Sequence, residues 1–309
     1  MKKIILTVII LLIVLLAISY IQFRGEIAAA RNRVLEGSEV YSSEYGDIEF
    51  AVEGEGPAAL LIHGAGGGYD QGMLIGKKAL GDGFTYISVS RFGYLRSPFM
   101  EESTVENQAA IYAAVLDHLE IDEAVILGAS AGGPSALQFA HDYPERSSAL
   151  VLLSSVSMYM GDEIPISTRI INTIQKSDFS YWLVIKMFRS QFSQMVGIDK
   201  NLYAELSPED KQYADDMIDF MHPMSPRRPG NIHEAEIKPL AGEAMGDISV
   251  PTIILHAKDD FLVTFEHADF VHKNIAHSEL VTFESGGHAL IAETAVINER
   301  IRDFLIRSQ

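Results

Sequence analysis

The hydrophobic pattern divides the chain into three regimes. Residues 4–21, IILTVIILLIVLLAISYI, are nearly all apolar. As a helix, such a run is about 27 Å long, close to the hydrocarbon thickness of a bilayer. Lys2 and Lys3 precede it, and Tyr20, Phe23 and Arg24 suit the interface beyond it. The run is longer than the apolar region of a cleaved signal peptide, although Ala17-Ile18-Ser19 and Ala28-Ala29-Ala30 would serve as cleavage sites. Residues 1–23 are therefore read as an uncleaved single-pass anchor and 24–40 as a linker. Lys2, Lys3 and the terminal amine favour an inside amino end, with the large domain outside the cytoplasm; Arg24, Arg31 and Arg33 oppose that orientation.

From residue 41 short apolar runs alternate with helical periodicity. VYSSEYGDIEFAVEGEGP reads as a hairpin turning at Gly46-Asp47. AALLIHG (58–64), FTYISVS (84–90), AVILGAS (124–130) and SALVLLSS (148–155) are too short for helices and too apolar for exposed strands, so they read as buried strands. A helix is expected over about 70–80. Another follows Ser103, which with Glu106 forms a capping-box pattern, and it buries Val105, Ala109, Tyr112, Leu116 and Leu119. AGGPSALQFAHDY continues as a helix stopped before Pro144. Residues 156–245 carry no strand signal. They hold eight of the eleven Met residues, the only Trp and the proline-rich stretch HPMSPRRPG (222–230). Alternation then resumes with VPTIILHAKDD, a helix over about 265–275, SELVTFESGGH and a last helix facing inward through Ile297, Ile301, Phe304 and Leu305.

Strands that are apolar throughout, separated by helices, specify an α/β fold with a mostly parallel, doubly wound sheet covered on both faces. The core is expected over 41–155 and 246–309, interrupted by a helical cap over 156–245. Ligands of such sheets bind at the carboxyl ends of the strands.

Composition narrows the chemistry. The absence of cysteine excludes disulfides, thiolate metal sites and a cysteine nucleophile. A net charge of −18, with no cluster of Lys and Arg, disfavours a nucleic-acid partner, and none is expected. The glycines of HGAGGG (63–68) lack the Lys-Ser/Thr of a P-loop and the spacing of a dinucleotide site, so no cofactor and no metal is expected.

What remains lies at the strand ends. Gly128-Ala129-Ser130-Ala131-Gly132 fits G-x-S-x-G between an expected strand and helix, the setting of a nucleophile elbow. The small neighbours leave room for a sharp turn at Ser130. A serine nucleophile needs a base oriented by an acid. His288 follows a late strand and Gly286-Gly287, and Asp259 and Asp260 follow TIILHAK. The amides of Ala65 and Ala131 are candidate oxyanion donors, with His63 a structural support of its loop.

HGAGGG, SRFGYLRSP, GASAGG, HAKDDFLV and GGH occur in an order that resembles the α/β-hydrolase fold superfamily over about residues 41–306. In that family the fourth residue after the His of the HAKDD-type motif is the usual acid, which implies Asp260. SRFGYLRSP departs from the family's D-x-x-G-x-G-x-S turn at Ser90 and Leu95. The resemblance implies a serine hydrolase of a small acyl substrate, a carboxylic ester above all, with Met and aromatic side chains of the cap as an apolar wall. A serine at the elbow argues against dehalogenase and epoxide-hydrolase chemistry, which uses Asp there. Two alternatives stand beside it. One is a carbon–carbon hydrolase of ring-cleavage products, for which Arg91, Arg96 or Arg189 would have to receive a substrate carboxylate. The other is a non-catalytic, membrane-tethered binding protein.

Overall fold

The computed structural model describes residues 1–43, 45–159, 161 and 166–308, the side chains of 166–169 excepted. The chain begins with helix α1 (Lys2–Glu36), followed by β1 (Glu39–Ser43), β2 (Gly46–Glu53), β3 (Ala58–Ile62), α2 (Tyr69–Leu80), β4 (Thr85–Val89), α3 (Val105–His118), β5 (Ala124–Ala129), α4 (Gly133–Asp142) and β6 (Ser147–Leu153). Among the described residues, the interval to β7 holds α5 (Ile166–Ile174), α6 (Asp178–Met187), α7 (Arg189–Met195), α8 (Lys200–Glu205), α9 (Pro208–Asp219), α10 (Arg228–His233) and α11 (Gly242–Met245). Then come β7 (Thr252–Ala257), α12 (Glu266–Asn274), β8 (Ser278–Phe283) and α13 (Thr294–Arg307).

The strands form one sheet in the order β1-β2-β4-β3-β5-β6-β7-β8. β1 and β2 are antiparallel to their neighbours, and every pairing from β4 to β8 is parallel. Alternate residues of each central strand go to opposite faces. Leu60, Ile62, Ile126, Leu150 and Ile254 join α3, α4 and α12 in one apolar layer. Leu61, Val125, Leu127, Val151 and Leu255 join α2 and α13 in the other. Both layers exclude water, which is why these strands are apolar at most positions. The order reverses direction between β3 and β5, and such a switch point opens a crevice at the carboxyl ends of the two strands.

Three local details differ from the sequence expectation. The hairpin pairs Ser43 with Gly46 and Ser42 with Asp47, so the reversal precedes Gly46-Asp47 and both belong to β2. Gly46, at φ 106°, opens the strand in a conformation that a side chain would strain. Helix α3 is capped by Thr104, whose hydroxyl accepts from the Asn107 amide, while the Ser103 hydroxyl turns back to the Met100 amide. Residues 24–36 are not a linker but the continuation of α1. The buried positions of α1, Phe23, Ile27, Ala30 and Val34, recur at steps of four, three and four and form a seam against the domain. Phe23 and Ile27 meet Trp182 of α6, and Val34 joins Tyr69 and Met73 of α2. Trp182 Nε1 donates to Glu26 at 2.7 Å. Earlier in the helix the apolar side chains from Ile4 to Leu16 are exposed all round. The helix is long and apolar enough to cross a bilayer, a character that a signal sequence shares.

Truncation should separate the two halves of α1. Removing residues 1–19 spares the seam and should leave the melting temperature unchanged. Removing residues 1–37 takes away three large buried side chains worth roughly 1.5–3 kcal/mol each. For a domain of this size that loss should lower the melting temperature by on the order of 10 °C or more. Equal melting temperatures for the two truncations, read by circular dichroism, would show that the seam contributes no stability.

Candidate active site

β5 ends at Ala129, and the next residue turns the chain into α4 within one short 3-10 turn, Ser130–Gly132. Ser130 adopts φ 50°, a left-handed conformation uncommon for a residue with a side chain. Only small neighbours permit the turn. A Cβ on Gly128 would lie 2.6 Å from that of Ala136, and one on Gly132 would lie 2.5 Å from the Ile62 carbonyl oxygen. Gly133 is constrained as well, since its Cβ would sit 2.3 Å from the Val156 carbonyl oxygen. It falls just outside the G-x-S-x-G motif, so the motif does not mark it.

Ser130 Oγ lies 2.9 Å from His288 Nε2, and His288 Nδ1 lies 2.7 Å from Asp260 Oδ2. With the proton on Nδ1, the imidazole donates to the carboxylate and presents Nε2 to the serine. The loop between β8 and α13 carries His288 through Gly286 and Gly287, both at positive φ. The Asp260 side chain is fully buried. Its Oδ1 accepts the amides of Leu262 and Val263 at 2.9 and 3.0 Å. Burial works to raise its pKa, but hydrogen bonds from His256 and His288, the charge of His288 and the Val263 amide outweigh it. The carboxyl is held well below the usual carboxylate range. His256, four residues earlier, bonds the Val263 carbonyl at 2.7 Å and stands 3.4 Å from Asp260 Oδ2. Sequence reasoning assigns this histidine no role, and its only signal is the spacing to Asp260.

Adjacent Asp259 is exposed. It accepts the amides of Gly287 at 2.9 Å and Gly286 at 3.3 Å, and so braces the loop that bears His288.

The loop after β3 closes over the elbow: a Cβ on Gly64 would lie 3.0 Å from Ser130 Cβ. Ala65 is exposed beside it, and Ala131 is buried in the first turn after the serine, where amides lack a helical acceptor. His63 is fully buried. Its Nδ1 bonds the Gly64 carbonyl at 2.7 Å, and its Nε2 accepts the Arg91 amide at 3.1 Å. Burial and the charges of Arg91 and Arg227 push its pKa well below the ordinary value, so the ring stays neutral and holds the loop.

All three arginines considered for a substrate carboxylate are engaged. Arg91 Nη1 donates to the Ala131 carbonyl at 3.0 Å, and its guanidinium pairs with Glu234, which also accepts from Tyr94 Oη at 2.5 Å. Arg96 Nε donates to buried Glu49 at 2.7 Å. Arg189 pairs with Asp215 and Asp219 at 2.8 and 2.7 Å.

The segment inserted between β6 and β7 touches both loops of the site. A Cβ on Gly66 would lie 2.6 Å from the Met221 methyl. The Ala289 amide, next to His288, donates to the Val196 carbonyl at 3.0 Å.

Comparison with known proteins agrees with this architecture. A family model described as the alpha/beta hydrolase fold matches residues 57–183. An uncharacterized hydrolase of Bacillus subtilis, YcgS, is 28% identical over 82% of this chain and 92% of its own. The 2-hydroxy-6-oxo-6-phenylhexa-2,4-dienoate hydrolase of Comamonas testosteroni is 23% identical over 78% of this chain and 84% of its own. Among solved structures, an alpha/beta hydrolase fold protein from Nakamurella multipartita superposes with a TM-score of 0.70 at 25% identity, covering 87% of this chain and 98% of its own. A bacterial membrane phospholipase A superposes with a TM-score of 0.65 at 18% identity, covering 100% of this chain and 99% of its own. The chain has the alpha/beta hydrolase fold.

The two neighbouring aspartates give a sharp test. Asp260→Asn should leave the imidazole in the wrong tautomer and lower kcat by roughly 10⁴. Asp259→Asn keeps one acceptor for the loop amides and should cost less than about tenfold. The variants are compared on one activated ester, and a larger loss at 259 would reverse the two roles.

Proposed function

We propose that the protein is a serine hydrolase that cleaves carboxylic esters of acyl-lipid type through Ser130, His288 and Asp260. The observation that carries this reading is the continuous hydrogen-bonded line from Ser130 Oγ through His288 to buried Asp260, on a strained elbow. Ser130 Oγ attacks the ester carbonyl carbon while His288 Nε2 takes its proton. The tetrahedral oxyanion is met by the amides of Ala65 and Ala131. Collapse releases the alcohol, which leaves with the proton from His288 and leaves an acyl group on Ser130. Water, deprotonated by His288, then attacks the acyl carbonyl, and Ser130 recovers its proton as the acid departs. Asp260 stays ionised throughout and stabilises the imidazolium.

The carbon–carbon alternative has a relative in the Comamonas hydrolase. It needs a cation for the substrate's carboxylate, and Arg91, Arg96 and Arg189 each already hold a carboxylate of the protein. That supports the ester reading. A binding protein without catalysis has no use for an aligned serine and imidazole.

The exposed apolar half of α1 supports a membrane anchor at the amino end, with the domain on the extracytoplasmic side as the lysines at 2 and 3 favour. The likeness to a membrane phospholipase A that runs the full length of the chain, α1 included, supports a lipid ester as substrate. We read the helices from α5 to α11 as the cap, with Met221 over the oxyanion loop as part of an adaptable apolar wall.

The test is a panel of acyl esters of increasing chain length, diacyl phospholipids and a dienoate ketone, run on the full chain and on Ser130→Ala. Esters or phospholipids should be turned over and the ketone should not. The variant should keep its fold and lose on the order of 10⁶ in kcat. Preferential turnover of the ketone would move the assignment to carbon–carbon cleavage, and an active Ser130→Ala would end the serine-hydrolase reading.

A further inference from the structure

We propose that Arg33, on the domain-facing half of α1, is a positioning residue for the oxyanion loop, acting through Asp70. The inference rests on the serine-hydrolase reading and assigns α1 a second role besides attachment.

Asp70 lies in the first turn of α2, directly after the His63–Gly68 loop, and its side chain is 4% exposed. Two guanidinium groups share it. Arg227, from the proline-rich stretch before α10, has no exposed surface and binds Asp70 in two-pronged fashion, Nη1 to Oδ1 at 2.9 Å and Nη2 to Oδ2 at 2.7 Å. Arg33 approaches Oδ2 from the other side, at 3.2 Å from Nη2 and 3.4 Å from Nε. The same Nη2 donates to the His222 carbonyl at 2.7 Å, and the guanidinium lies 4.1 Å over the Phe220 ring. The Arg33 carbonyl in turn accepts from Tyr69 Oη at 3.0 Å. One residue of α1 thus grips both Tyr69 and Asp70, at the point where the loop becomes helix.

Between that grip and the elbow the loop has no slack. A Cβ on Gly68 would lie 2.7 Å from Arg227 Nη1. A Cβ on Gly67 would lie 2.3 Å from Gln71 Oε1 and 2.6 Å from His63 Nδ1. The Gly67 amide closes a turn onto the Gly64 carbonyl at 3.2 Å, and Gly64 abuts Ser130. A displacement of the first turn of α2 therefore passes to the amide of Ala65. Oxyanion donors act only when held at the position where charge develops, and a misplacement of about 1 Å can cost about 10²-fold in rate.

Arg33→Ala leaves the buried Asp70–Arg227 pair and the bond from Tyr69 Oη to the residue 33 carbonyl intact, and removes the guanidinium's contacts with Asp70, the His222 carbonyl and the Phe220 ring. A neighbouring tie serves as the control. Arg31, itself largely exposed, bonds buried Asp178 at 3.0 Å, and Asp178 holds Ser225 through both its amide and its hydroxyl. That chain reaches the same proline-rich stretch but not α2.

The experiment uses the full chain in lipid nanodiscs with an activated ester, measuring kcat, KM and the rate of Ser130 acylation by a fluorophosphonate. We expect Arg33→Ala to lower kcat and the acylation rate about tenfold at unchanged KM, Arg33→Lys to recover at least half of the loss, and Arg31→Ala to match the wild type. An Arg33→Ala variant that acylates at the wild-type rate overturns the inference. So does an equal loss in Arg31→Ala, which would mean general loosening of α1. Should Arg33→Ala melt lower than the wild type, Arg33→Lys and Arg33→Gln at wild-type melting temperature decide, and Gln acylating as fast as Lys contradicts the ionic tie. Failure of the wild type to react with the fluorophosphonate at all would instead strike the serine-hydrolase reading beneath it.

Discussion

The left-handed turn at Ser130 is the constraint on which the rest of the structure depends. A side chain at φ 50° is strained, and the strain persists only because the surroundings leave the chain no other path. Those surroundings are the ends of three adjacent strands. Gly132 sits against the last carbonyl of β3, and Gly133 against the carbonyl of Val156 just beyond β6. The sheet order places β5 between these two strands, so the turn is enclosed from both sides. The parallel sheet is thus the means by which one hydroxyl is pushed out of the main chain at a fixed place.

Around that turn the protein uses charge internally. Arg91 with Glu234, Arg96 with Glu49, and Arg227 with Asp70 are ion pairs in which at least one partner is buried. Desolvation largely offsets the attraction in such pairs, so their value lies in fixing geometry more than in net stability. Each fixes a specific joint. Arg91 ties the elbow carbonyl to Glu234 beyond α10, and its amide holds His63. Arg227 ties the proline-rich stretch to α2. The inserted helices are therefore bolted to the loops of the site by ion pairs as well as by apolar packing, and α1 enters the same scheme through Arg31 and Arg33.

How much can be read from sequence depends on how local each signal is. The central strands were legible because burial on both faces makes them apolar at most positions, and SALVLLSS or TIILHA admits few other readings. The elbow was legible because its steric demand falls on immediate neighbours of Ser130. The order of serine, aspartate and histidine could be written down because each follows a strand, although the distances among them are a property of the sheet. The ion pairs were not legible. Asp70 and Arg227 are 157 residues apart and Arg91 and Glu234 are 143 apart, and nothing in one partner's neighbourhood names the other. The second half of α1 was missed for a different reason. Its seam of Phe23, Ile27, Ala30 and Val34 has helical spacing, but it continues directly from the apolar span, whose uniform character hides where one-sided burial begins. Thr104 and Ser103 illustrate the finest grain: both can cap a helix, and which hydroxyl does so depends on one residue of backbone conformation.

The central claim is that Ser130 is a nucleophile activated by His288. It is tested most directly by treating the full chain with a fluorophosphonate and mapping the adduct by mass spectrometry of peptides. A single covalent adduct on Ser130, lost in His288→Ala while the variant stays folded, is the result this account predicts. No adduct on the folded wild-type chain, or one that persists on Ser130 at the same rate without His288, would contradict it.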